Sequence, residues 1–219
     1  MVRPVVRGLK TLLPKGRRYR KIALGPAKGC VMDVDFRSDL KAYLGIFEYE
    51  LTPHFKRMLK PGSRCFDVGG SGGYHALVMA KTSGARVASF ECEHNGVEEM
   101  RRIFAQNPSL AIEVIEAYVG AENGDGLITI DKAARELFVP DLIKLDIEGA
   151  EDSALEGASE TLSKHRPCFV IEVHGADKEA KCTALLRSFN YAVQIVNQGR
   201  LLKDPYRGGY NRWLAAYPG

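Results

Sequence analysis

No apolar run in this chain approaches the ~20 residues of a membrane span. The opening stretch, MVRPVVRGLKTLLPKGRRYRK, lacks both a continuous apolar signal segment and a small-residue cleavage site, so export by that route is not expected. Cysteine pairing is also missing. Cys30, Cys65, Cys92, Cys168 and Cys182 are odd in number and widely spaced, with no CxxC and no zinc-type Cys/His spacing. They are expected as small hydrophobes, mostly buried, in a reducing cytoplasm, which is the predicted location. No internal repeat or low-complexity tract is visible.

What is present is ordinary for a globular chain: 219 residues, 45% hydrophobic and 26% charged. The charge is uneven. Residues 1–21 hold eight Lys or Arg and no acid, so with +4 overall the remainder carries about −4. A basic arm over residues 1–30, partly disordered, is expected to precede a single domain over 31–219. Such an arm could touch an anionic surface, or could simply be solvated.

Strand and helix signals alternate along the domain. RCFDV, RVASFE, AIEVIEAYV, GLITID, DLIKLDI and CFVIEVH read as strands, and most are continuous apolar runs. YELTPHFKRMLK, HNGVEEMRRIFAQN and KEAKCTALLRSFN read as helices. After DLIKLDI, a helix would place Ala150, Ala154, Leu155, Ala158 and Leu162 on one side. The tail, YAVQIVNQGRLL then YNRWLAAYP, reads as consecutive strands with a turn near Asn197-Gln198-Gly199. This order predicts an α/β, Rossmann-like three-layer sandwich. Its mostly parallel seven-stranded sheet would end in an antiparallel terminal strand.

In such sheets ligands bind beyond the carboxyl ends of the strands. The first βα turn is FDVGGSGGYHA, with four glycines in five residues. It fails the G-x-G-x-x-G dinucleotide pattern and lacks the Gly-Lys-Ser/Thr of a P-loop. An acid followed by G-x-x-x-G, here Asp67 with Gly69 and Gly73, resembles the first motif of S-adenosylmethionine methyltransferases; a glycine-rich turn that holds no ligand is the alternative. Glu91 closes the next strand, 24 residues after Asp67, where a carboxylate can accept hydrogen bonds from a ribose diol.

The stretch DLIKLDIEGAE gathers Asp146, Glu148 and Glu151 where a buried strand ends. Asp146 is the acid best placed to face a cationic cofactor. Glu148 is either catalytic or a helix-start acid, and Glu151 is expected as a cap. Lys144 is expected in a structural salt bridge. His174, two residues after Glu172, ends a neighbouring strand and is a candidate general base or a structural histidine. A His and two carboxylates can bind a divalent ion, but the spacing is not a metal motif and no metal centre is expected.

Together FDVGGSGGYHALVMAK, VASFECEHNG and ITIDKAARELFVPDLIKLDIEGAEDSALEGA resemble the FkbM family of S-adenosylmethionine-dependent methyltransferases, over roughly residues 40–217. Gly70 and Ser71 replace that family's Ala-Asn pair, and Cys92 its Pro. The resemblance implies that Asp67, Gly69 and Gly73 shape the cofactor loop and that Ser71 lies near the methionine moiety. It further implies that Glu91 takes the ribose hydroxyls and that Glu116 and Ala117 lie near the adenine. Asp146, Glu148 and His174 become the candidate catalytic residues. The implied acceptor is a hydroxyl of a small molecule, sugar or lipid-linked glycan. An inactive cofactor- or partner-binding module is the alternative. Nucleic-acid methylation ranks lower, because DIEGAE stands where base-amino methyltransferases carry an Asn/Asp-Pro-Pro-aromatic segment, and acids repel phosphates.

Overall fold

Two strands, β3 (Cys65–Val68) and β8 (Leu142–Leu145), are buried at every position, as their unbroken apolar sequences require of strands covered on both faces. They are the centre of the sheet in a computed structural model that describes residues 15–197 and 211–219. Around them stand β4 (Val87–Glu91), β5 (Ile112–Glu116), β9 (Cys168–His174), β10 (Tyr191–Val196) and β11 (Asn211–Pro218), in the order β10-β11-β9-β8-β3-β4-β5. β5, β4, β3, β8 and β9 run parallel, whereas β11 is antiparallel to both β9 and β10. The expected antiparallel strand is therefore terminal in sequence but interior in space, inserted beside β9.

Side chains alternate across each strand, so neighbouring residues enter different cores. Cys65, Leu142, Val170 and Trp213 join one cluster with Ala42 of α1 (Leu40–Tyr43), Phe55 and Met58 of α2 (Thr52–Met58), Leu77 and Met79 of α3 (Tyr74–Ser83), and Met100 and Ile103 of α4 (His94–Ala105). Phe66, Ile143, Phe169 and Leu214 join the other cluster. It is closed by Ile130 and Ala133 of α5 (Ile130–Glu136), Ala154 and Leu155 of α6 (Glu151–Glu156), and Cys182 and Leu186 of α7 (Ala176–Ser188). Ala158 and Leu162 are buried there too, as their helical spacing predicted, although α6 itself is short.

Two readings need correction. AIEVIEAYV is not one strand: it breaks at Ala117, and β6 (Tyr118–Val119) pairs with β7 (Leu127–Ile128) outside the main sheet. GLITID yields only β7, because Thr129 caps a helix by accepting the Lys132 N–H, and α5 begins at Ile130. In the basic stretch, β1 (Arg18–Lys21) pairs antiparallel with β2 (Val31–Val34). Residues 1–14 of the expected arm, and Gln198 and Gly199 of the expected turn, lie outside the described residues. No helix among the described residues is long and apolar enough to cross a membrane.

Candidate active site

A cavity of about 640 Å³ opens at the carboxyl ends of β3, β4 and β8, where the topology places a ligand. Gly69, Ser71, Glu91, Ala117, Asp146 and Glu148 line it, six residues singled out from sequence. Its apolar wall is Val68, Phe90, Val119 and Ile147, with Tyr118 half exposed at the edge.

Beneath the cavity lies a charged row spanning three strands. Parallel register sets Asp67 beside Ser89 on one side and Lys144 on the other. The Ser89 hydroxyl donates to Asp67 Oδ2 at 3.2 Å, and Lys144 Nζ lies 3.4 Å from Asp67 Oδ1 and 3.5 Å from Asp146 Oδ2. Lys144 also donates to the Gly69 carbonyl at 2.8 Å, tying the loop to β8. Burial opposes a charge on Lys144, but Asp67 and Asp146 outweigh it and raise its pKa. Asp67 is wholly buried within β3; it supports the loop from beneath and does not line the cavity.

The loop needs Gly69 and Gly73 for packing. Gly69 has φ +77°, and a Cβ there would overlap the Asp146 carbonyl oxygen. Gly73 caps α3 at φ +74°, and its Cβ would meet the Phe104 ring at 2.8 Å. Gly72 has open space around its Cβ position. Glu91 is held at the rim by three backbone donors: Ser71 N–H at 3.1 Å to Oε2, and Cys92 and Glu93 N–H at 2.9 and 3.0 Å to Oε1. Glu116 turns aside, bonding His94 Nδ1 at 2.8 Å, so at that strand end the residue lining the cavity is Ala117.

The other end of the cavity is acidic. Asp146 follows β8 directly, with a Glu172 carboxyl oxygen within 4.8 Å of one of its own. Burial raises the Asp146 pKa, but Lys144, the neighbouring Glu172 carboxyl and the imidazoles of His174 and His75 outweigh it and hold the group low. His174 Nε2 lies 3.8 Å from Asp146 Oδ1 and 3.8 Å from Glu148 Oε2. Its Nδ1 is 2.7 Å from Glu151 Oε1, and that hydrogen bond leads the causes that raise the imidazole pKa. Asp146, Glu172 and His174 each offer one ligand atom, all within 4.8 Å of one another. Glu48 sits in a left-handed conformation with its carboxylate 3.3 Å from His75 Nε2.

Three features were not read from sequence. Glu148 does not open the helix: it stands in the preceding loop at φ +53°, exposed, and α6 starts at Glu151. Glu151 is a cap in part, accepting the Gly149 N–H at 2.9 Å, but it is fully buried and also orients His174. Glu172 joins the cluster because period two puts Glu172 and His174 on one side of β9, as it does Lys144 and Asp146 beside β8. That shared alternation was available as a signal.

Comparison with known proteins places this geometry. Residues 126–198 match the methyltransferase FkbM domain. No curated protein sequence matches significantly. Among solved structures, methyltransferase FkbM from Methylobacillus flagellatus KT superposes with a TM-score of 0.58 at 22% identity, covering 75% of this chain and 50% of that one. This chain thus spans half the length of that relative. M. jannaschii TYW2 in complex with AdoMet gives 0.56 at 13% identity, covering 94% and 86% of the two chains. A putative rRNA-methylase from Clostridium thermocellum gives 0.55 at 12% identity, covering 76% and 94%. The fold is shared with these structures, and the chain's resemblance to the FkbM methyltransferases holds in sequence over residues 126–198 and in fold.

Proposed function

We propose that this chain is an S-adenosylmethionine-dependent methyltransferase that methylates a hydroxyl oxygen of a small molecule, a sugar or a lipid-linked glycan. The observation that carries the reading is the cavity itself: a glycine loop, a rim carboxylate and an apolar wall, with Asp146 and Glu148 also lining it and His174 Nε2 3.8 Å from each of those acids. Its volume of about 640 Å³ lies within the range of small-molecule sites. The complex of TYW2 with AdoMet, on the same fold, supports the choice of cofactor.

When bound, S-adenosylmethionine supplies a methyl group on a cationic sulfur, so the chain has mainly to align and desolvate. Glu91, already fixed by three N–H donors, accepts from the ribose hydroxyls. Ala117 and Tyr118 flank the purine, with Phe90, Val119 and Ile147 as its apolar surroundings. Gly69 and Ser71 bring backbone close to the methionine moiety. Asp146 sets negative charge beside the positive end of the ligand, and Lys144 keeps that carboxylate and the Gly69 carbonyl in place. Asp146, Glu148 and His174 then receive the acceptor hydroxyl and provide for loss of its proton.

Gly70-Ser71 in place of an Ala-Asn pair favours one other reading, a module that binds the cofactor without transferring its methyl. Incubation with radiolabelled S-adenosylmethionine and a panel of polyhydroxylated acceptors decides between them. The proposal predicts label on oxygen. Binding with no transfer to any acceptor would favour the module, and label on RNA would overturn the acceptor class.

A further inference from the structure

We infer that Asp146, Glu172 and His174 form a binding site for a divalent metal ion of the Mn²⁺ kind, placed to hold the acceptor hydroxyl. The site's role rests on the methyltransferase reading above; ion binding does not. Ligand atoms about 2.1 Å from an ion lie about 3 Å apart when adjacent and about 4.2 Å when opposite. The three ligand atoms here already fall within 4.8 Å of each other, so closure on an ion needs only small side-chain movement.

Two observations outside the triad point to a cation. The first is the second shell. A buried Glu151 carboxylate lies 2.7 Å from His174 Nδ1 and orients the ring with Nε2 turned toward Asp146. Carboxylate–imidazole pairs of this kind orient and strengthen metal-binding histidines. The second is burial of the acids around the triad: Asp67 and Asp146 flank Lys144, and Glu151 faces His174. Asp67, Glu151 and Glu172 are all more than nine-tenths buried. Buried carboxylates are stabilised by nearby positive charge, and a divalent ion between Asp146 and Glu172 would add to that of Lys144.

Two carboxylates and one imidazole are a mixed hard and borderline donor set, which suits Mn²⁺ and leaves coordination positions for water and an acceptor oxygen. In the transfer, the acceptor O–H bond breaks and its proton passes to water. The oxygen forms the new O–CH₃ bond as the C–S bond of the sulfonium donor breaks, releasing a neutral thioether. The ion lowers the cost of the proton loss and stabilises the developing negative charge on oxygen.

The test uses the full chain, stripped with chelator and titrated with Mn²⁺ by calorimetry and by the Mn²⁺ paramagnetic resonance signal. One ion per chain is expected, with affinity reduced at least tenfold in His174→Ala and in Glu172→Gln. A measurement on the unaltered protein covers variants that fail to fold: substoichiometric Mn²⁺ should broaden the imidazole resonances of His174 before those of His165, which is exposed and precedes the opposite end of β9. Absence of stoichiometric binding at 1 mM Mn²⁺, or equal broadening of both histidines, would overturn the metal site. S-adenosylhomocysteine is titrated separately: its binding without Mn²⁺ binding leaves the methyltransferase reading standing and removes the ion alone. Mn²⁺ binding with no S-adenosylhomocysteine binding does the reverse.

Discussion

The ammonium of Lys144 lies 3.4 Å from Asp67 Oδ1, with both side chains almost wholly removed from solvent, and joins the two central strands beneath the cavity. Removing one partner strands a buried charge. Lys144→Met should therefore destabilise the fold by about 3–5 kcal/mol, the usual cost of breaking a buried pair. Urea unfolding measures it; a loss below about 1 kcal/mol would mean that Asp67 is neutral in the folded chain. The Lys144→Met/Asp67→Leu double variant should regain part of the loss.

Glycines of the loop should differ sharply in tolerance. Gly69→Ala combines a positive φ with a collision against the Asp146 carbonyl, so it should cost at least about 2 kcal/mol and weaken ligand binding. Gly72→Ala meets open space and should change stability by less than about 1 kcal/mol. Thermal unfolding of the pair is the check, and equal effects would contradict the loop geometry.

Glu91→Ala and Tyr118→Ala should each weaken S-adenosylhomocysteine binding while leaving unfolding midpoints nearly unchanged for Tyr118. Loss of charge-assisted hydrogen bonds at Glu91 predicts about 10–100-fold. Loss of aromatic contact at Tyr118, worth roughly 1–3 kcal/mol per stacked base, predicts about fivefold or more. Calorimetry reads both. Unchanged affinity in Tyr118→Ala would move the purine elsewhere.

Acid should loosen the seam between α6 and α7. Asp152 Oδ1 accepts from Lys178 Nζ at 2.6 Å and Oδ2 from Lys181 Nζ at 3.4 Å. Burial raises the Asp152 pKa, but Lys178, Lys181 and the Ser153 N–H outweigh it and hold it below the ordinary value. A depressed folded pKa means stability that is complete above the unfolded value, about 3.9, and lost as pH falls through the folded one. Asp152→Asn should flatten that part of the stability–pH curve below about pH 4; an unchanged slope would show that other acids carry it.

Much of this was legible locally. CFVIEVH matches β9 end to end, because continuous apolar runs at strand length have few other uses. Ile130–Glu136 was missed since LITI is β-branched and strand-like, and the Thr129 cap overrides it. Glu151 looked like a local cap because its bond to His174 exists only once β8 and β9 lie side by side. β11 could not be placed between β9 and β10 from sequence, since that pairing is long-range. Asp146 was legible for the opposite reason: an acid at the end of a buried strand has no use in a core, and the topology puts it at the cavity.

The most direct test of the account is calorimetric titration of the whole chain with S-adenosylmethionine and S-adenosylhomocysteine. One site per chain with micromolar affinity, weakened in Glu91→Ala, is the predicted result. No binding of either compound at millimolar concentration by folded protein would contradict the account.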